Sequence, residues 1–376
     1  MLLNDYFAKK SQYPNHYFMR ITFVLLLLTT VLLACTKSKS GIEPSNQQKK
    51  LNQLQLQAAA NYSQQKGGSG VLVMQDGQII FENYHNGADH NTATHIQSGT
   101  KGFFAAVTAL AIQEGLITSY EENISETITE WQNPSLHPGK RQIKVKHLVS
   151  LTSGLSQNLD QIWGEHPTAT NIYDYVVNHL SLVFAPGSRF QYGPSHFYVF
   201  GVFLKRKLQK AGIYQDPLQY LTTKILQPIG ATYDNWVLDQ SGNPHIPNGC
   251  YITPRNWVKF GQLLLQKGKW NNNQLIREQL VQELFLPKAD NQGYGTFLWL
   301  NNQGGDAGLS GAPSAPQGAA GGLMYYGGYT DIIGSLGAGK NRLYIIPSLN
   351  TVIVRQTLGD RADFSDNDFL ELLLPK

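Results

Sequence analysis

The sequence predicts an α/β fold of the α+β type: an antiparallel sheet flanked by helices, with a mostly helical region inserted at about residues 115–290. Three observations predict it. Residues 70–81, Gly-Val-Leu-Val-Met-Gln-Asp-Gly-Gln-Ile-Ile-Phe, make two strand-like runs around Asp76-Gly77, a strong short-range hairpin signal. Helical patterns then dominate from Lys101 to about Leu286, as at 103–113, 171–180 and 257–265, separated by turn clusters such as Pro186-Gly187 and Gly242-Asn243-Pro244. Strand patterns return at 294–301, 332–336, 342–346 and 351–356, before a last helix at 366–374. Strands from both ends around a helical middle call for one sheet that is completed late. The Gly- and Ala-rich stretch 304–328 is expected to form a loop beside the site.

Ahead of the fold lies an address. Arg20 is followed by an uncharged apolar run, residues 21–33, too short to span a bilayer as a helix but suited to the core of a secretory signal. Leu32-Leu33-Ala34-Cys35 closes that run with a small residue before a cysteine and resembles the lipobox of bacterial lipoproteins. The expected organisation is a signal peptide over 1–34, a lipidated Cys35 with a flexible tether over 35–57, and one folded domain over 58–376. An ordinary secretory signal with an incidental Cys35 is the alternative, and Met19 is a second candidate start. From Thr36 to about Leu51 the chain is Ser, Lys, Gln, Asn, Gly and Pro, too polar to bury a core. With Thr36 rather than Asp after the cysteine, the expected place is the cell envelope, facing the periplasm, at the outer membrane.

The 376 residues are 41% hydrophobic and 15% charged, which excludes a disordered polyelectrolyte. A net charge of +4 shows no clustered basic stripe, which argues against a nucleic-acid partner. Losing residues 1–34 removes three of 30 basic and one of 26 acidic groups and leaves +2, so the excess is partly targeting. Two cysteines, Cys35 and Cys250, cannot build a disulfide framework or a four-ligand zinc site. Gly334 to Lys340 spells Gly-x-x-x-x-Gly-Lys, but Asn341 stands where a phosphate loop needs Ser or Thr. His85, His90 and His95 recur every five residues, a spacing that suits neither a helix pair nor a strand face for metal binding. No Gly-x-Ser-x-Gly elbow occurs after the leader.

Chemistry begins at Ser98-Gly99-Thr100-Lys101. A Ser three residues before a Lys, opening the apolar stretch Phe103-Phe104-Ala105-Ala106-Val107, puts hydroxyl and amine one helical turn apart on one face. Burial of that helix would disfavour the charged amine, as a base at neutral pH requires. The helix start would also aim N–H groups at a developing oxyanion. Alone, the pair equally fits a Ser cap followed by an exposed Lys.

With its context, the chain resembles the serine β-lactamase and penicillin-binding protein superfamily, among whose motifs is Ser-x-x-Lys. The likeness runs over about residues 70–356. It includes the Asp76-Gly77 strand pair, Val145-Lys146-His147-Leu148-Val149-Ser150-Leu151-Thr152-Ser153-Gly154-Leu155, the Pro186-Gly187 turn leading to Gln191-Tyr192-Gly193-Pro194, Thr253-Pro254-Arg255-Asn256, and Tyr294-Gly295. The resemblance implies a β-lactamase/transpeptidase-like fold with Ser98 as acylated nucleophile, Lys101 as its activator and Tyr192 as second proton-transfer group. A phenol beside a lysine ammonium is expected to have a lowered pKa. The third motif falls on Ser335-Leu336-Gly337-Ala338-Gly339. There Ser335, Gly337 and Ala338 are the expected substrate and oxyanion residues: Gly337 admits substrate to the strand, and the Ala338 N–H pairs with that of Ser98 as an oxyanion hole.

Two departures mark the chain. Ser335 stands where the family strand carries Lys or His, and Pro194 replaces the Asn that commonly follows the tyrosine by two residues. Both argue against β-lactams, and residues 337–347 look more like the 6-aminohexanoate-oligomer hydrolase and carboxylesterase side. The resemblance therefore implies a lipid-anchored serine hydrolase acting on a small ester or amide through an acyl-enzyme, with no cofactor and no metal. The alternatives are a DD-peptidase or β-lactamase acting on peptidoglycan peptides or β-lactams, and a catalytically inactive binding lipoprotein.

Overall fold

The computed structural model describes residues 50–160, 170–302, 323–359 and 363–376. The leader, Cys35 and most of the tether lie outside the described residues, as does most of the stretch 304–328. The tether as expected ran to residue 57, but Asn52 caps a helix, α1 (Gln53–Gln65), by accepting from Gln55 N at 2.9 Å. Leu56, Ala59 and Ala60 of α1 are buried, so the fold starts before residue 58.

The hairpin follows as β1 (Gly68–Gln75) and β2 (Gln78–Tyr84). Asp76 and Gly77 both take positive φ, 52° and 76°, as the tight primed turn between twisted strands requires. Next come β3 (Thr94–His95) and the buried α2 (Lys101–Gln113). The middle holds α3 (Val145–Val149), α4 (Ile172–Asn178), α5 (Ser195–Ala211) and α6 (Pro217–Leu221). After β4 (Asn235–Trp236) and β5 (Cys250–Ile252) comes α7 (Pro254–Leu265), with Thr253 as its cap and Pro254 at its first turn. A short hairpin, β6 (Lys269–Trp270) with β7 (Asn273–Gln274), precedes α8 (Glu278–Leu284). The chain ends through β8 (Trp299–Leu300), β9 (Ile333–Leu336), β10 (Arg342–Ile346), β11 (Thr351–Thr357) and α9 (Asp366–Leu373).

The main sheet has the order β2-β1-β11-β10-β9-β8, with every neighbouring pair antiparallel. The late strands thus complete the sheet begun by the early hairpin, as the pattern predicts. Two details differ. The strand expected at 294–301 pairs only through Trp299–Leu300, because the chain turns back at Gly295, which donates to Leu298 O, and Phe297 takes a φ of 56°. The region at 115–290 is also mixed: β3, β5 and β4 form a second small sheet, and α7 packs on the main one.

Every residue of β1, β9, β10 and β11 is buried, so both faces of the sheet centre are covered. Alternation decides which side chain meets which layer. Leu343 and Val352 meet α7, where a Cβ on Gly261 would come within 2.9 Å and 2.5 Å of them. On the opposite face, Arg355 bonds Ser63 of α1 and Tyr344 bonds Asp366 of α9.

Candidate active site

Ser98 sits in a 3-10 turn, Gln97–Thr100, that runs straight into α2. The turn is entered through Gln97 at a φ of 51°, a left-handed conformation uncommon outside glycine. Its side-chain amide donates to His95 Nδ1 at 3.0 Å, which leaves His95 Nε2–H to donate to Asn248 O. His95 in turn stacks on Tyr251, with ring centroids 4.4 Å apart.

The Lys101 amine donates to Ser98 Oγ at 2.7 Å and to Pro247 O at 2.8 Å. Lys101 is 5% exposed, and burial pulls its amine down to about 7, since no carboxylate is there to hold the charge. Its neighbours are aromatic faces: Nζ lies 5.3 Å from the Tyr192 ring centre and 5.0 Å from that of Phe197.

Tyr192 comes from the chain just before α5, against Trp299, with ring centroids 5.5 Å apart. Its ring is half-buried, but its hydroxyl is fully buried, with the Ser98 side chain as the polar group beside it. Burial pushes the phenol up to about 12, against smaller downward pulls from Ser98 and Arg342. This corrects the expected lowering: desolvation outweighs the charges nearby, and a lysine held near 7 is not a standing cation. On α5, His196 bridges Ser153 Oγ and Gln191 O, each at 2.8 Å, and burial takes it down to about 4. Pro194 stands ahead of α5, and the Gln157 side chain takes the Ser195 N–H at 2.9 Å.

The third motif closes the site from β9. Gly337 lies so near the nucleophile turn that a Cβ would fall 2.0 Å from Ile96 O and 3.0 Å from Gly99 N, so only glycine fits. Ala338 is exposed beside it. Ser335 does not open toward a substrate: it is 3% exposed, and its hydroxyl donates to Gly99 O at 2.7 Å, tying β9 to the nucleophile turn. A Cβ on Gly102 would lie 2.4 Å from Ser335 Oγ, so Ser335 packs directly against the glycine of α2. Gly334 to Lys340 passes from β9 through a three-residue 3-10 turn, Ala338–Lys340, toward β10, with no α-helix to receive a phosphate.

The structure thus brings Ser98, Lys101, Tyr192, Gly337 and Ala338 together from three distant parts of the chain. Sequence reasoning missed the backbone oxygen of Pro247, the His95–Gln97 strut and Trp299. Only an aromatic residue in the strand after Tyr294 hinted at the last.

A serine turn with a buried lysine, beside a tyrosine and the end of an antiparallel sheet, fits a β-lactamase/transpeptidase-like scaffold. The family model Beta-lactamase matches residues 51–373, and the chain belongs to that family. Among solved structures, it resembles a Bacillus anthracis protein described as a candidate 6-aminohexanoate-dimer hydrolase (18% identity, TM-score 0.61, 81% of this chain and 77% of that one). It also resembles a candidate β-lactamase from Bacteroides dorei (17%, 0.63, 85% and 96%). A third is EstCE1, a hydrolase with promiscuous acyltransferase activity (16%, 0.60, 85% and 97%). At these identities the likenesses establish the fold.

Proposed function

We propose that the chain is a serine hydrolase that cleaves small, uncharged esters or amides through an acyl-enzyme on Ser98. The observation that carries this reading is the 2.7 Å contact between Ser98 Oγ and a buried amine held near 7. Two groups could take the serine proton, and their pKa values decide between them. Burial brings the Lys101 amine down to about 7, so its neutral form is accessible at neutral pH, whereas burial pushes the Tyr192 phenol up to about 12 and keeps it protonated. Lys101 is therefore the base and Tyr192 the acid. Ser98 Oγ adds to the carbonyl carbon as its proton passes to Lys101 Nζ, and the oxyanion falls between the Ser98 and Ala338 amides. Collapse expels the leaving group, which takes the Tyr192 proton, and Tyr192 is reprotonated from the Lys101 ammonium. Water then attacks the acyl-enzyme along the same path, releasing the acid and restoring Ser98.

A cavity of about 380 Å³ adjoins this constellation, with Gln97 and Ala338 on its wall together with His95, Tyr251, Asn341 and Thr357. No Lys, Arg, Asp or Glu lines it among the described residues, which favours a neutral acyl group. Ser335 and Pro194 likewise leave a β-lactam carboxylate and side-chain amide without their usual partners. Short-chain p-nitrophenyl esters are thus expected to be hydrolysed at least about 30-fold faster than nitrocefin, in kcat/KM.

The same reading places the domain at the cell envelope, facing the periplasm and anchored by lipid on Cys35 after removal of residues 1–34. Leu32-Leu33-Ala34-Cys35 supports this. The deciding experiment is labelling with a fluorophosphonate probe. Wild type should be labelled at one serine and Ser98→Ala not at all, while a wild-type chain that is never labelled would be the inactive binding protein instead.

A further inference from the structure

The turn that carries Ala338 is held from behind by buried guanidinium groups. Arg342, at the start of β10, is fully buried, and its Nη1 donates to Gly337 O at 2.7 Å and to Asn341 O at 3.0 Å. Asp366 at the start of α9 accepts from its Nε at 2.5 Å and from its Nη2 at 3.1 Å. Tyr344 donates to the same carboxylate at 2.5 Å. Arg355, also fully buried, reaches Lys340 O at 2.7 Å. The Asn341 side chain holds Ala338 O at 3.0 Å and accepts from Thr357 N at 3.1 Å. Four carbonyls of one five-residue turn are thus held by side chains, two of them cationic.

One of those carbonyls matters to the reaction. The Gly337 oxygen and the Ala338 N–H belong to the same trans peptide and point in opposite directions. Arg342 therefore sits at the negative end of the peptide dipole whose positive end is the proposed oxyanion donor. A charged donor on the carbonyl polarises the amide, so its N–H binds a developing negative charge more strongly. Asp366 lies on the far side of the guanidinium from Gly337 and orients the pair with its positive end toward the site. Arg342 approaches from the sheet face that carries α9, opposite to the α7 face. Its charge enters the site through the peptide and not as a group that substrate can touch.

We propose that Arg342, fixed by Asp366, is a positioning residue that orients and polarises the Gly337–Ala338 peptide as half of the oxyanion hole. The inference rests on the serine-hydrolase reading and deepens it. The interaction strengthens only as charge develops on the substrate oxygen, so its loss should appear in kcat and in transition-state affinity rather than in KM.

The test uses the full-length protein and a p-nitrophenyl ester. Arg342→Met/Asp366→Leu removes the ion pair without stranding either charge, a replacement that buried pairs commonly tolerate. Its kcat is expected to fall about 10- to 100-fold, less than loss of a direct oxyanion donor, with KM within about threefold. Affinity for phenylboronic acid, whose oxygen fills the oxyanion position, should fall by the same factor. Arg342→Lys keeps a cation in shorter reach and should lie between the two. For that variant, the infrared carbonyl stretch of the acyl-enzyme should move to higher frequency than in wild type, a signature that a merely structural role would not produce. Wild-type kcat and boronate affinity in the folded double variant, or an unshifted carbonyl in Arg342→Lys, would overturn the proposal. If wild type is labelled at Ser98 and these outcomes occur, only this inference falls. If wild type is never labelled, the hydrolase reading falls and takes it along.

Discussion

Lys101 and Arg342 are both buried basic residues, one on a wall of the site and one behind the opposite wall, and the protein treats them in opposite ways. Lys101 has a serine hydroxyl, a backbone oxygen and aromatic faces around it, but no carboxylate, and burial takes its amine to about 7. Around Arg342, desolvation also pulls downward, yet Asp366 and Tyr344 more than offset it and the guanidinium stays charged. Burial by itself therefore does not fix a charge state. Partners do, and the wall that moves protons lacks them where the wall that holds a fixed charge is saturated with them.

Breaking the two walls should give different kinds of damage. The largest effect is expected from Lys101→Met, which removes the proposed base: turnover of a p-nitrophenyl ester should drop by about 10³-fold or more, measured as kcat. Nearly full activity in that variant would remove Lys101 from the mechanism. Next is Asp366→Asn, which leaves the Arg342 charge buried with its main partner neutralised. Denaturant unfolding should show a loss of about 3 to 5 kcal/mol, far more than a surface change gives.

The pH dependence sharpens the contrast. As the medium becomes more acidic than the Lys101 value of about 7, the amine is protonated and cannot accept the Ser98 proton. The kcat/KM profile should therefore fall about tenfold per pH unit on the acid side, and Arg342→Lys should leave the position of that limb unchanged. An acid limb that is absent between pH 5 and 7 would mean that another group takes the proton.

The smallest effect has the opposite sign from ordinary core mutations. Between about 7 and 10.5 the unfolded chain binds a proton that the folded chain does not, so folding stability rises with pH across that window. Lys101→Met removes this dependence. The variant should gain stability relative to wild type as the pH falls below 10.5, with the gain levelling off near pH 6. A destabilised variant at pH 6 would show that the bonds to Ser98 and Pro247 outweigh the cost of burying the amine.

Local sequence determined much of this protein. The positive-φ turn at Asp76-Gly77, the late strands 342–346 and 351–357, the buried helix from Lys101 and the Ser98–Lys101 spacing all follow from periods and turn chemistry that act within a few residues. The start of α1 escaped notice because a Gln- and Ala-rich segment after a polar run lacks a strong apolar stripe, although Asn52 was available as its cap. Tertiary structure decided the rest. Whether Tyr192 holds or yields its proton depends on how far its hydroxyl is desolvated under Trp299, and no spacing encodes that. Ser335 looked like a substrate contact by position but is spent on Gly99 O, because β9 packs directly on the nucleophile turn. Arg342 was visible as one charge opening an apolar strand, while its meaning lies in Asp366, on a helix reached only when the chain folds back across the sheet. Charge states and oxyanion geometry are set by distances between residues far apart in sequence, whereas strands and helices are set by neighbours.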